Sequence, residues 1–319
     1  MSFGSRRPVL TGLVAAAPAT SAEPSFGRYV ALGDSCTAGP LVPWQRASWC
    51  FRSTDNHPSG PATRLGLYDA PGGFTDVSCS SADTANMTAA QGTPSPDIRL
   101  STQSPQFDAP TLDTDLVTIR IGGNDHGVFG SLVGTCPTLP AADPAGSPCQ
   151  AHYPAGGVDT MTAAVQHTGR NLAKVIRGVR EHSPGAEIVL VGYPRLVRPH
   201  GYCPPVVPLS DGDYAWAGQV ERALNAAIES AAKQEKAQFA DTYGPSLGHD
   251  ACAGDPAWVA GQSTNLFAAT AFPPYQPGMA AEAALITKAL GVPAKTGAPT
   301  ARDAARPDQV ARMARTAGW

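Results

Sequence analysis

Short apolar runs closed by glycine or small polar residues recur along the chain, at Tyr29 to Gly33, Leu116 to Ile121 and Glu187 to Gly192, and Gly73 to Val77 reads as a further strand. Runs of this length without polar alternation predict strands buried on both faces, as in a parallel sheet. Between them the apolar period changes. Val158, Met161, Val165, Leu172, Val175, Ile176 and Val179 recur largely at helical spacing, and Ser183-Pro184-Gly185 closes that segment. Trp216, Val220, Leu224, Ala227, Ile228 and Ala231 predict a second long helix, followed by a short strand at Gln238 to Ala240 and an Ala-rich helix from Met279 to Leu290. Strands alternating with helices predict an α/β fold, a three-layer αβα sandwich on a parallel five-stranded sheet. The stretch from Gly39 to Asp69 reads as loop with one short helix, and Ser80 to Pro110 as surface loop and short helix. Gly127 to Pro154 is a Pro- and Gly-rich insertion.

The 319 residues are 42% hydrophobic and 15% charged, enough apolar material for one large core. A net charge of -3 and the absence of basic clusters give no electrostatic basis for a nucleic-acid partner or an anionic membrane surface. A small neutral molecule suits the chain better, and it is read as a monomer without stable membrane insertion. Three regions are expected: a leader over 1–27, one domain over 28–290 and a loose Pro/Ala-rich tail over 291–319, despite some helical character near Val310 to Ala314. In the leader, Arg6-Arg7 precedes a short apolar stretch that ends on small residues, the layout of an export signal, with paired arginines that hint at the twin-arginine route. The alternative there is a disordered start. Seven cysteines favour an oxidising, extracytoplasmic location.

Candidate chemistry begins where the first strand stops. Gly33-Asp34-Ser35 presents a serine at a sheet edge, where α/β folds place their sites. Gly122-Gly123-Asn124-Asp125 follows another strand, and Ser78-Cys79-Ser80-Ser81 a third. In order and spacing these blocks resemble the SGNH (GDSL-type) hydrolases, in the style of the secreted actinobacterial esterases and lipases, over roughly Arg28 to Leu290. The resemblance implies an SGNH, flavodoxin-like sheet with Ser35 as nucleophile. It also implies oxyanion donors from the Ser35 amide and the Asn124 side chain beside Gly122 and Gly123, and a role for Asp34 in ordering the nucleophile turn. It further implies the pairs Cys50 with Cys79, Cys136 with Cys149 and Cys203 with Cys252, whereas the sequence alone allows many pairings. Cys36 is left over, either a packed thiol or a reactive one.

Two departures from the family pattern stand out. Ser81 occupies the place of the family's third oxyanion donor, a glycine, and Pro273 the place of its catalytic histidine. Proline accepts no proton, and loss of the base removes several orders of magnitude in rate from such systems. His126, directly after Asn124-Asp125, is the candidate substitute, the alternative being a loop histidine; Asp125 reads as a loop-ordering carboxylate. His249 sits in a context shared with the family for structural reasons, beside a disulfide. No spacing indicates a metal site, and nothing asks for a cofactor. The expected activity is ester hydrolysis on a small ester or acyl substrate with an atypical base. The alternative is a diverted fold that binds an acyl or polyketide-like molecule and either cyclises or dehydrates it or only holds it.

Overall fold

The computed structural model describes residue 1 and residues 25–46, 48–93, 101–139, 145–156, 158–293 and 307–316. The export segment therefore lies outside the described residues apart from its two ends. Five parallel strands form the sheet: β1 (Tyr29–Gly33), β2 (Phe74–Asp76), β3 (Leu116–Arg120), β4 (Glu187–Val191) and β5 (Gln238–Ala240). Their spatial order is β2-β1-β3-β4-β5.

The continuous apolar runs are explained by burial on both faces. Val30 and Leu32 of β1, Val117 and Ile119 of β3, and Ile188 and Leu190 of β4 turn to one side. There they pack under α3 (Thr160–His182) and α4 (Asp211–Gln234), whose Leu172, Ile176, Leu224 and Ile228 belong to the same core. The alternate residues Tyr29, Ala31, Leu116, Val189 and Val191 turn to the other side, against Ala62 of α2 (Ser59–Arg64) and Ile286 of α5 (Gln276–Ala289). This is the expected three-layer sandwich. The short helix α1 (Ser35–Ala38) follows β1 directly. Asp159 caps α3 by accepting the amides of Met161 and Thr162, which fixes where the long helix begins.

Three disulfides join Cys50 to Cys79, Cys136 to Cys149 and Cys203 to Cys252, and Cys36 is free. No helix among the described residues is long and apolar enough to cross a membrane.

The C-terminal region departs from expectation. Residues 307–316 form a helix, α6 (Pro307–Thr316), rather than a loose tail. Val310, Met313 and Ala314 fall at helical spacing and are buried against Leu41 and Phe51. The apolar stripe thus finds a partner in the loop that leaves α1, and its burial outweighs the breaker-rich composition before it.

Candidate active site

β1 stops at Gly33 because the chain must turn sharply there. A Cβ at Gly33 would lie 2.2 Å from Thr37 Oγ1 and 2.7 Å from the Arg120 carbonyl oxygen. Gln106 clamps the strand end from outside the sheet, its Oε1 accepting the Gly33 amide at 2.8 Å and its Nε2 donating to the Gly33 carbonyl at 2.9 Å. Asp34 then caps α1, its Oδ1 accepting the Cys36 amide at 2.9 Å. Ser35 is the first residue of α1, at the carboxyl end of the sheet.

β3 delivers the second block to the same edge, since Gly33 and Arg120 are paired in register. Gly122 has φ +106°, and a Cβ there would meet Thr168 of α3 at 2.7 Å, so the chain passes close under α3 only as glycine. Ser35, Asp34, Gly123 and Asn124 line one cleft together with Cys36 and Tyr193. Asn124 Nδ2 donates to the Ala82 carbonyl at 2.9 Å, tying this block to the one that carries Ser81. Asp125 orders the loop as expected, accepting Thr84 N, Thr84 Oγ1 and Asn171 Nδ2.

The remaining walls are mostly apolar, with Glu221 and Asn225 of α4 the polar exceptions. Val128, Phe129 and Leu132 form one side; Val220 and Leu224 of α4, with Leu196, form another; and Val259 and Phe272 close the cleft. Phe272 meets Phe129 edge to face at 5.9 Å between ring centres. The segment around Pro273 therefore contributes an aromatic wall. The neighbouring Pro273 is buried, and its carbonyl accepts the Ala260 amide at 3.0 Å.

His126 does not join Ser35. Its backbone is left-handed, with φ 52°, its side chain is exposed, and its ring packs 5.5 Å from that of His167 on the flank of α3. It is not part of the cleft lining. His249 is turned elsewhere too, with Nδ1 2.6 Å from the Pro256 carbonyl and its ring stacked on Trp258. No histidine lines the cleft among the described residues.

The titratable groups that do line it are Asp34, Cys36, Tyr193 and Glu221. Burial pushes the Asp34 carboxyl up to about 6, against the opposing pull of Tyr193, Arg120 and the Cys36 and Thr37 amides. Tyr193 donates its hydroxyl to Asp34 Oδ2 and accepts the Gly123 amide at 3.0 Å, so it bridges the nucleophile turn and the Asn124 block. Burial raises the Tyr193 phenol and the Cys36 thiol well above their ordinary values, which keeps both protonated and the thiol unreactive. Burial likewise pushes Glu221 up to about 8.

Sequence reasoning missed Tyr193, Glu221, Gln106 and a buried pair beneath the turn. Arg120 and Glu282 are both fully buried and meet at 2.9 Å, and Arg120 Nη1 also donates to the Cys36 carbonyl at 3.1 Å. His57 lies buried beside them, and burial followed by the Arg120 charge holds it neutral. One of these omissions had a usable signal: Tyr193 follows the Glu187 to Gly192 run immediately, at the carboxyl end of a third parallel strand.

Ser81 stands apart from these groups. It is exposed, does not line the cleft, and has φ 68°, the left-handed region that glycine adopts without cost. Ser81→Gly is expected to raise stability by about 0.5–1 kcal/mol, because relief of a left-handed residue exceeds the added chain entropy of glycine. Urea unfolding of the two proteins measures it, and a loss of stability would mean that the serine makes a compensating contact.

Residues 31–266 match the model of the GDSL-like lipase/acylhydrolase family. Lipase 2 of Streptomyces coelicolor is 36% identical over 248 residues, which is 76% of this chain and 78% of that protein. Two solved structures resemble the fold with a TM-score of 0.65 and 25% identity, a phospholipase A1 from Streptomyces albidoflavus and an extracellular lipase from Streptomyces rimosus. The alignments cover 83% and 82% of this chain and 99% of each of those. With its serine turn, its Gly-Gly-Asn block and the strand order that brings them together, the chain belongs to the GDSL-like lipase/acylhydrolase family.

Proposed function

We propose that the protein is an exported serine ester hydrolase that forms an acyl-enzyme on Ser35 without a histidine base. The observation that carries this reading is the shared cleft: Ser35, Asn124 and Gly123 stand at its polar end, and the remainder is a mostly apolar channel, interrupted by Glu221 and Asn225, that suits an acyl chain. In the reaction Ser35 Oγ bonds to the ester carbonyl carbon and its proton leaves to water. The carbonyl oxygen takes up the negative charge beside the Ser35 amide and the Asn124 side chain; collapse of the tetrahedral adduct re-forms the carbonyl and breaks the ester C–O bond, and the alkoxide takes a proton back from water to leave as the alcohol. Water then has to cleave the acyl-enzyme without an imidazole to activate it. Systems stripped of part of their triad keep roughly 10³- to 10⁴-fold catalysis over water from the oxyanion hole and binding. Turnover is correspondingly slow. Three disulfides and the alkyl-lined cleft suit an extracytoplasmic enzyme acting on a small ester.

Mixing with a medium-chain p-nitrophenyl ester should release a burst of nitrophenol, followed by a slow phase. Intact-mass spectrometry should find one acyl group, which maps to Ser35 and is missing from Ser35→Ala. Nitrophenol release that persists unchanged in Ser35→Ala sinks this reading.

A second reading has its own observation in Phe272, an aromatic wall beside Pro273, the position at which the resemblance implies a base. On that reading the cleft holds an acyl or polyketide-like molecule for a non-hydrolytic step or for binding alone. Tight binding of such a molecule with neither burst nor adduct would favour it.

A further inference from the structure

Glu221 is anomalous in its surroundings. It projects from α4 into a mostly apolar part of the cleft lining, with Val220 and Leu224 of the same helix beside it; the other polar residue there, Asn225, is already engaged, accepting the Tyr193 amide and donating to the Glu221 carbonyl. One of its oxygens anchors a neighbouring segment, since Oε1 accepts the backbone amides of Leu196 and Val197, each at 3.1 Å. The other anchors nothing. Oε2 is buried and lacks a hydrogen-bond partner among the described residues.

We propose that Glu221 makes the cleft selective for an acyl chain that carries an oxygen function along its length, a hydroxyl, ketone or ether oxygen that pairs with Oε2. The proposal rests on the reading that the cleft takes an acyl chain. An anchor for two amides needs one acceptor oxygen, and an unpartnered buried polar atom costs about 1–3 kcal/mol. A plain alkyl chain leaves that cost in place, whereas an oxygen-bearing chain removes it. Burial also favours the neutral carboxyl at neutral pH, opposed less strongly by the Val197 and Leu196 amides and then by the charges of Arg195 and Arg222. Since Oε1 is occupied as an acceptor, the proton belongs on Oε2, which then donates to the ligand oxygen. Sites built around a buried hydrogen-bonding group discriminate strongly against analogues that lack its partner.

The test separates binding from turnover. Decanoic acid and a series of hydroxydecanoic acids, with the hydroxyl at successive carbons, are titrated calorimetrically into full-length Ser35→Ala. At least one hydroxy acid should bind roughly 10- to 100-fold more tightly than decanoic acid. The preference should survive Glu221→Gln, which keeps an acceptor and a donor, and vanish in Glu221→Met. Equal affinity across the series overturns the proposal whether or not Glu221→Met folds, as does a preference that Glu221→Met retains. Failure to acylate Ser35 with the preference intact would instead refute the hydrolase reading and leave this inference standing.

Discussion

Arg120→Met is expected to lower the free energy of unfolding by about 3–5 kcal/mol, and Glu282→Leu by a similar amount, while the double replacement recovers most of the loss. Both side chains are fully inaccessible to solvent, and their one close contact is Nη1 to Oε2 at 2.9 Å. Arg120 Nε and Nη2 and Glu282 Oε1 have no hydrogen-bond partner among the described residues, so the pair is held together in an environment that solvates it incompletely. Removing the guanidinium strands a carboxyl in that environment; removing the carboxyl strands a charge that is harder still to neutralise. Removing both takes out the desolvation cost along with the attraction. Guanidinium unfolding of the parent, the two single variants and the double variant gives the cycle, and a coupling energy of several kcal/mol is the expected result. Additive losses would mean that each side chain acts alone. The double variant also isolates a positioning effect, because Arg120 Nη1 supports the Cys36 carbonyl, one residue beyond Ser35. A refolded double variant should therefore acylate Ser35 more slowly than the parent.

The contrast between this pair and the strands around it shows what the sequence conveys. Val30 and Leu32 go to one face and Tyr29 and Ala31 to the other, and all four are buried, so an unbroken apolar run was a sufficient signal for β1. Gly33 and Gly122 were legible for a related reason, since a tight turn and a close helix leave no room for a Cβ and only one residue type meets that demand. Arg120 closes an equally apolar run, but its partner lies 162 residues away on α5, and no local pattern encodes such a distance. Glu221 was hidden similarly: within α4 it reads as one polar position of an amphipathic helix, and its function depends on the amides of Leu196 and Val197 that arrive from another segment. His126 shows the opposite error, in which adjacency in the chain suggested adjacency in space. A left-handed residue turns its side chain away from the course of its neighbours, so Asn124 faces the cleft while His126 packs on His167. The helix α6 was visible as an apolar stripe, yet its stability comes from Leu41 and Phe51, which the stripe does not name.

Glu221→Gln should convert a pH-dependent stability into a flatter one. Burial moves the Glu221 carboxyl from 4.5 up to about 8 in the folded protein, so the native state holds its proton where the unfolded chain has already released it. Between these two values the native state binds more protons, and stability contributed by this group falls as pH rises through the window. Below about pH 4.5 both states are protonated and the contribution is fully present; above about pH 8 both are ionised and it is lost. A shift of this size, discounted because the side chain is not wholly enclosed, corresponds to about 2–4 kcal/mol. Asp34 falls in the same direction between 3.8 and about 6, but it is present in parent and variant alike and cancels from their difference. Glutamine keeps an acceptor for the Leu196 and Val197 amides and cannot ionise, so the fold is retained. Urea unfolding at about pH 5 and about pH 9 should show the variant gaining about 2–4 kcal/mol relative to the parent across that interval. A difference that does not change with pH would mean that water reaches Oε2 and solvates its charge, and a carboxylate so solvated would have no unmet hydrogen bond to offer an acyl chain.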